Sequence, residues 1–470
     1  MIADLKPYAA YKDSGLAWLG KVPEHWGVVP NRGLIRKRKV LVGDEHAAYK
    51  LLSLTKMGVI VRDISTGKGK FSADMGTSQE VRTGDLVFCL FDVPETPRTV
   101  GLSRHSGMIT GAYTVFESLK PELARYFELF YLAMDERKLL SPLYSGLRNT
   151  IPPVRFLGTK TPQPPPEEQA AIVRFLDWAN ARLERTIRAK RRVIALLTEQ
   201  KQAIIHRAVT RGLDPTVPLK PSGIAWLGDI PAHWEVRRCG SLFYGVVDVG
   251  HSDGLLLSID RKRGVIPQSH TGRKVRASEN RGAYKRVVPG QLAYNLMNAF
   301  MGSLGFSQYE GIVSPAYAVA QPRGEIETGY FHHLFKTNAY TGEFNRLSYG
   351  IMYERNRLYF ERFKLVPALI PPLQEQRVIL AGIREATESL NTTISRLDRE
   401  IDLLREYRTR LVADVVTGKL DVREAAAALP QEEPGSALKP DALDTGELGD
   451  EGDEGDDTSN GDELDDDGKA

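Results

Sequence analysis

The sequence predicts an α+β chain: two similar globular domains of mixed α and β structure in tandem, each followed by a long helix. The two helices pair as a coiled coil, and a disordered acidic tail follows. Three observations predict this. The chain repeats itself at an offset near 208 residues, a seven-residue apolar period follows each of two proline hinges, and the last forty residues are rich in Gly, Asp and Glu and poor in apolar residues. The expected boundaries are 1–166 (opener and first large domain), 167–212 (central helix), 213–372 (opener and second large domain), 373–423 (second helix) and 424–470 (tail).

The repeat comes first, because missing one misassigns the fold. Residues 14–26 read SGLAWLGKVPEHW and residues 222–234 read SGIAWLGDIPAHW, identical at nine of thirteen positions. Leu52-Ser53-Leu54 answers Leu257-Ser258-Ile259, and Gly58-Val59-Ile60 answers Gly264-Val265-Ile266. Gly84, Gly101 and Gly107 answer Gly290, Gly305 and Gly311. Pro164-Pro165 with Glu168-Gln169 answers Pro371-Pro372 with Glu375-Gln376. Shared positions in the large domains are mainly Gly, small and apolar residues, which are scaffold choices. The surface-type residues between them differ almost completely, so the two copies are expected to do related binding jobs on different targets.

Within the large domains, Gly84–Phe88 and Gln291–Tyr294 read as short buried strands, and Pro121–Leu140 reads as an amphipathic helix with Pro in its first turn. After the hinges the period changes. Leu176, Leu183, Lys190, Leu197 and Ile204 are spaced by seven, as are Ile383, Leu390, Leu397, Leu404 and Leu411. An apolar heptad sustained in this way is a coiled-coil seam. The first helix would be roughly 60 Å long at 1.5 Å per residue, a strut. Lys190 interrupts its seam, either as a snorkelling stem or as a register or partner device. From Asp444 to Asp467 almost no apolar residue remains, which predicts disorder.

The charge is segregated. Of 63 basic and 60 acidic residues, the last forty hold two and sixteen, so residues 1–430 carry 61 against 44, a net +17, and the tail carries −14. A strongly basic body points to a polyanionic partner, although an ordinary basic domain fits the charge equally well. Two distant cysteines, Cys89 and Cys239, make no disulfide framework and no zinc spacing, which suits a reducing, cytoplasmic setting. The first residues lack the apolar stretch of a signal peptide, and no run approaches the ~20 apolar residues of a membrane span.

The opener Tyr11-Lys12-Asp13-Ser14-Gly15-Leu16-Ala17-Trp18-Leu19-Gly20, with Pro23, His25 and Trp26, resembles the start of specificity subunits of type I restriction–modification systems. The hinges at 164–169 and 371–376 and the order domain, helix, domain, helix are similar too, so the resemblance covers about residues 11–423. It implies that each large domain is a target-recognition domain reading one half of a bipartite double-stranded DNA site. It also implies that the two helices form an antiparallel coiled coil that sets the spacing and docks methyltransferase subunits, which use S-adenosylmethionine, and that translocase–endonuclease subunits join them. The chain itself would be non-catalytic and need no cofactor. The acidic tail is no part of that pattern; it is either a solvated extension or a transient cover for the basic groove.

A duplex reader needs cations for phosphates and polar side chains for base edges. Candidate phosphate contacts are Arg32, Arg36, Lys37, Arg38 and Lys39, with Lys68 and Lys70, in the first domain. In the second they are Arg261, Lys262, Arg263, Arg273, Lys274 and Arg276, extended by Arg281, Lys285 and Arg286. Candidate base readers are Thr77, Ser78, Gln79, Arg148 and Asn149, then Asn295, Asn298, Tyr353, Arg355 and Asn356.

Catalysis finds little footing. Thr66-Gly67-Lys68-Gly69-Lys70 lacks the spacing of a phosphate loop. Glu122 with Glu136 and Lys138 loosely matches a nuclease carboxylate pattern, but the second copy lacks those acids. His25 and His233 sit beside tryptophans and read as packing residues, as do Trp18, Trp26, Trp226 and Trp234. A coiled-coil scaffold or a stand-alone DNA-binding protein remains the alternative.

Overall fold

The computed structural model describes residues 5–62, 75–272, 281–350 and 356–430. The chain divides into two compact units, residues 1–178 with 412–470 and residues 179–411, so each division falls inside a long helix.

Each unit contains the same sheet. In the first, four antiparallel strands lie in the order Ile35–Arg38, Thr114–Ser118, Leu86–Phe88, Val100–Leu102. In the second, the order is Phe243–Val246, Tyr317–Pro322, Leu292–Asn295, Leu304–Phe306. The central strand Leu86–Phe88 is buried throughout, as expected of an apolar run covered on both faces. Helix Ala124–Glu136 covers the first sheet and helix Thr328–Phe335 the second. The expected helix over Pro121–Leu140 is therefore shorter. It opens with a 3-10 turn at Pro121–Leu123 and stops at Glu136. Aromatic rings fill both cores. Phe88 lies 4.8 Å from Phe156, and Tyr131 lies 4.7 Å from Phe127, centroid to centroid; Phe243, Phe331, Phe335 and Phe363 do the same work in the second unit.

The repeated glycines have a steric cause. A Cβ on Gly107 would sit 2.3 Å from Lys50 O, and one on Gly311 would sit 2.3 Å from Leu255 O. At both places a neighbouring segment hydrogen-bonds to the next residue, Met108 N to Lys50 O and Ile312 N to Leu255 O, each at 2.8 Å.

Strand Gly27–Pro30 pairs with Lys160–Gln163, and Glu235–Arg238 pairs with Pro367–Ile370. This pairing brings each opener beside its proline hinge, where the long helices Pro166–Arg211 and Leu373–Val416 begin. Trp26 is fully buried and donates Nε1 to Glu168 Oε1 at 2.8 Å, while His25 Nε2 lies 2.7 Å from Glu168 Oε2. Trp234 and His233 hold Glu375 in the same way, at 3.0 and 2.7 Å. The next residue turns back on the hinge, Gln169 Nε2 donating to Pro164 O at 2.8 Å and Gln376 Nε2 to Pro371 O at 2.9 Å. The helix C-termini are held by tyrosines. Tyr126 OH donates to Val416 O at 3.1 Å, and Tyr330 OH to Val209 O at 3.0 Å, each meeting a last-turn carbonyl that has no partner in its own helix.

Within the second unit, Lys190 Nζ reaches Glu400 Oε2 at 2.5 Å and Arg408 contacts Glu184. Partner numbers that fall on one helix as they rise on the other mark antiparallel neighbours. Leu183, Ile187, Ile383 and Ile401 are buried, and Leu197, Ile204, Leu390, Leu397 and Leu404 are half-buried. Leu176 and Leu411 are buried as well. Lys190 is thus tied to a carboxylate of the facing helix.

The expected tail boundary at 424 is corrected. A short helix covers Arg423–Ala427, and Val422, Ala426 and Leu429 are buried. Their i, i+4, i+7 spacing makes one apolar face, and Arg174 donates to Leu429 O at 2.8 Å. The acidic residues from 431 onward lie outside the described residues.

Candidate nucleic-acid interface

In each unit three loops meet at one end of the sheet. The first is the tip of a hairpin, Leu52–Thr55 with Gly58–Val61, and Leu257–Asp260 with Gly264–Pro267. The second follows the central strand, residues 89–99 and 296–303. The third is a late turn closed by a bridge, Ser145 to Thr150 and Tyr349 to Arg357. Hydrogen bonds join them. In the first unit Arg98, on the strand loop, donates to Lys56 O on the hairpin tip at 3.1 Å, and Ile151 N donates to Leu90 O at 2.8 Å. In the second, Arg261 on the hairpin tip reaches Met301 Sδ at 3.1 Å, and Leu358 N donates to Leu296 O at 2.8 Å.

The scaffold of this end is shared and its tips are not. The first hairpin turns through Lys56 and Met57, with Thr55 Oγ1 accepting from Met57 N at 3.1 Å. The second turns through three consecutive exposed cations, Arg261, Lys262 and Arg263. Asp260 Oδ1 accepts from Lys262 N at 2.9 Å and Arg263 N at 2.8 Å, which lowers its pKa against the effect of burial and fixes the tip. Behind it, Lys336 Nζ donates to Arg261 O at 2.7 Å, and burial pulls its pKa down to about 8.

Most of the other expected residues fall into four groups. Arg36, Lys37 and Lys39 are exposed on or beside an outer strand, with Arg36 paired to Glu117 on the adjacent strand at 2.7 Å. Arg148 and Asn149 are exposed on the late turn. Asn295, Asn298 and Asn356 are half-buried in the loop cluster; Asn295 Oδ1 accepts from Met297 N at 2.9 Å and so shapes its loop. Lys68, Lys70, Arg273, Lys274, Arg276, Tyr353 and Arg355 lie outside the described residues.

Three expectations are corrected. Arg38 is 13% exposed and its guanidinium is held between Asp85 and Glu80, so it pins strands together instead of facing a ligand. Ser78 and Gln79 are buried. Gln79 donates Nε2 to Tyr113 O at 2.6 Å, which leaves neither side chain available to a base edge. Lys285, in the extended set, is similarly spent on Pro315 O and Tyr317 O at 2.8 and 2.7 Å. Sequence reasoning missed Lys56, Arg98 and Leu147.

The described residues hold no group of three or more His, Cys, Asp or Glu fit to hold a metal ion. Glu122, Glu136 and Lys138 make no shared site there: Lys138 is bonded to Asp135 at 3.1 Å. Cys89 and Cys239 are free thiols whose burial raises their pKa. No described helix is long and apolar enough to cross a membrane.

No family model matches the chain. It has the fold of a chain from a structural study of complex assembly and conformational transition of the type I R-M system, with a TM-score of 0.53 and 14% identity over 85% of this chain and 99% of that one. The HsdS subunit from Thermoanaerobacter tengcongensis aligns over 85% of this chain and 98% of its own at 15% identity, with a TM-score of 0.38. In sequence, the chain is 28% identical over 102 residues to the type I restriction enzyme EcoKI specificity subunit of Escherichia coli (strain K12). That match spans 22% of each chain, well short of the relative's length. Fold and sequence stretch together make the chain similar to type I restriction–modification specificity subunits.

Proposed function

We propose that this protein is the DNA-reading specificity subunit of a type I restriction–modification complex. One observation carries the reading: a single scaffold is built twice with the same Trp–Glu, His–Glu and Tyr–carbonyl pins, while the loop tips at the end of each sheet differ. Recognition of two unlike half-sites asks for that combination. Cations such as Lys37, Lys39, Lys262 and Arg263 would neutralise phosphates and set register, and side chains of the loop cluster would meet base edges.

In this reading the two long helices are an antiparallel coiled coil with its seam along Leu176, Leu183, Lys190, Leu197 and Ile204 and along Ile383, Leu390, Leu397, Leu404 and Leu411. The coil sets the unread spacer between half-sites and docks methyltransferase subunits. Those subunits bring S-adenosylmethionine and translocase–endonuclease subunits bring the cutting activity. The chain itself performs no bond chemistry, and the complex acts in the cytoplasm. The test is the adenine methylome of the host with and without this gene. Loss of one asymmetric, bipartite motif is the expected result; an unchanged methylome in a host with active partner subunits overturns the reading.

A further inference from the structure

The late turn of the first unit has a tip that packing does not explain. Leu147 has a relative exposure of 105%, the highest among the exposed large hydrophobic residues described. An apolar side chain left in water contributes nothing to the folded state.

The turn is nevertheless held firmly. Ser145 and Thr150 bond each other in both directions at 2.9 and 3.0 Å, and Asn149 N donates to Gly146 O at 3.2 Å. Three non-glycine residues among those described have positive φ, and two of them, Asp92 at 46° and Asn149 at 45°, meet here. Such conformations cost about 1–3 kcal/mol each and persist where the surroundings impose them. The surroundings do so. Asp92 N donates to Arg148 O at 2.9 Å, and Arg148 Nε donates to Asp92 Oδ1 at 3.2 Å. The Arg148 guanidinium also lies 5.6 Å from the Phe91 ring centroid, and from the other side Arg155 donates to Pro142 O at 2.9 Å. Arg148 is therefore a brace, and the braced turn presents one apolar side chain.

Resting on the DNA-reading function above, we propose that the turn Gly146–Asn149 enters the major groove of the first half-site and that Leu147 contacts a thymine 5-methyl group. That methyl is the apolar group that a base pair offers in the major groove. In the second unit seven residues lie between the bridge partners Tyr349 and Arg357, against four between Ser145 and Thr150. The two turns thus differ in length at the same place in the scaffold.

The experiment is selection of duplexes from a randomised pool by the full chain and by its Leu147→Ala and Leu147→Met variants. Wild type is expected to enrich a bipartite motif. Leu147→Ala is expected to lose preference, by about five-fold or more, at one A·T pair in one half-site only, and Leu147→Met to keep it. Replacing that thymine by uracil should weaken wild type as much as the Ala variant and leave the Ala variant unaffected. An unchanged motif in Leu147→Ala, or equal weakening at both half-sites, overturns the thymine contact while leaving DNA reading intact. Full wild-type affinity for the uracil duplex overturns it as well. A wild-type chain that enriches no motif overturns the functional reading itself.

Discussion

Trp26 donates its indole N–H to Glu168 Oε1 at 2.8 Å, and the same carboxylate also accepts from Tyr8 OH at 2.6 Å and meets His25 at 2.7 Å. Glu168 stands in the first turn of a long helix, where a negative charge is favoured, and it is 4% exposed. Replacing it by Ala strands three donors. The expected cost to the first unit is about 3 kcal/mol, read as faster amide exchange in strand Gly27–Pro30. Glu375→Ala should cost the second unit less. Glu375 is 28% exposed and, among the described residues, holds Trp234 and His233 without a third donor. Equal effects at the two sites would contradict this difference.

Gly107→Ala and Gly311→Ala each force a methyl group to 2.3 Å from a backbone oxygen. Each should destabilise its own unit by about 3 kcal/mol. Gly158→Ala, where nothing lies within 4 Å, is the control and should be neutral or slightly stabilising. Thermal unfolding of the three variants checks the order.

His332 has its pKa pulled down to about 3, by burial first and then by Lys336 and His333. The folded second unit therefore binds this proton less readily than the unfolded chain does. Its contribution to stability is present above pH 6.5 and is lost as pH falls from there towards 3, by at most roughly 1.4 kcal/mol per pH unit. Glu128 occupies the equivalent helix position in the first unit and is bonded to Arg98 and Arg125 instead. Denaturation midpoints between pH 3 and 7 should fall less steeply for His332→Gln than for wild type; parallel curves would contradict the assignment.

Leu397 is half-buried on the second long helix and Ser395 is exposed. Leu397→Glu should cost roughly 2–4 kcal/mol by setting a carboxylate among apolar neighbours, with loss of helical circular dichroism at a lower temperature and loss of methyltransferase co-purification. Ser395→Glu should change neither. Retained assembly in Leu397→Glu would mean that the seam runs elsewhere.

The duplication and the long helices were legible because periodicity and repeated short motifs survive in a bare sequence. Trp26 was legible as a packing residue, whereas His25 beside it is exposed and pairs with a carboxylate; the partner of both was not legible. Glu168 lies 142 residues from Trp26, and only the pairing of Gly27–Pro30 with Lys160–Gln163 brings them together. The interface was least legible. Ser78 and Gln79 look like base readers in sequence, but both are buried, Gln79 at the start of a strand and Ser78 just before it. Leu147 is apolar yet stands in solvent. Polarity alone does not say which face of a short strand or which side of a turn is outward.

The central claim is that one scaffold, built twice, reads two independent half-sites. The most direct measurement is the methylome of a host whose copy carries the first large domain of another type I specificity subunit in place of residues 5–164. The account predicts a new first half-site with the second half-site and the spacer unchanged. A change in both half-sites, or in neither, would contradict it.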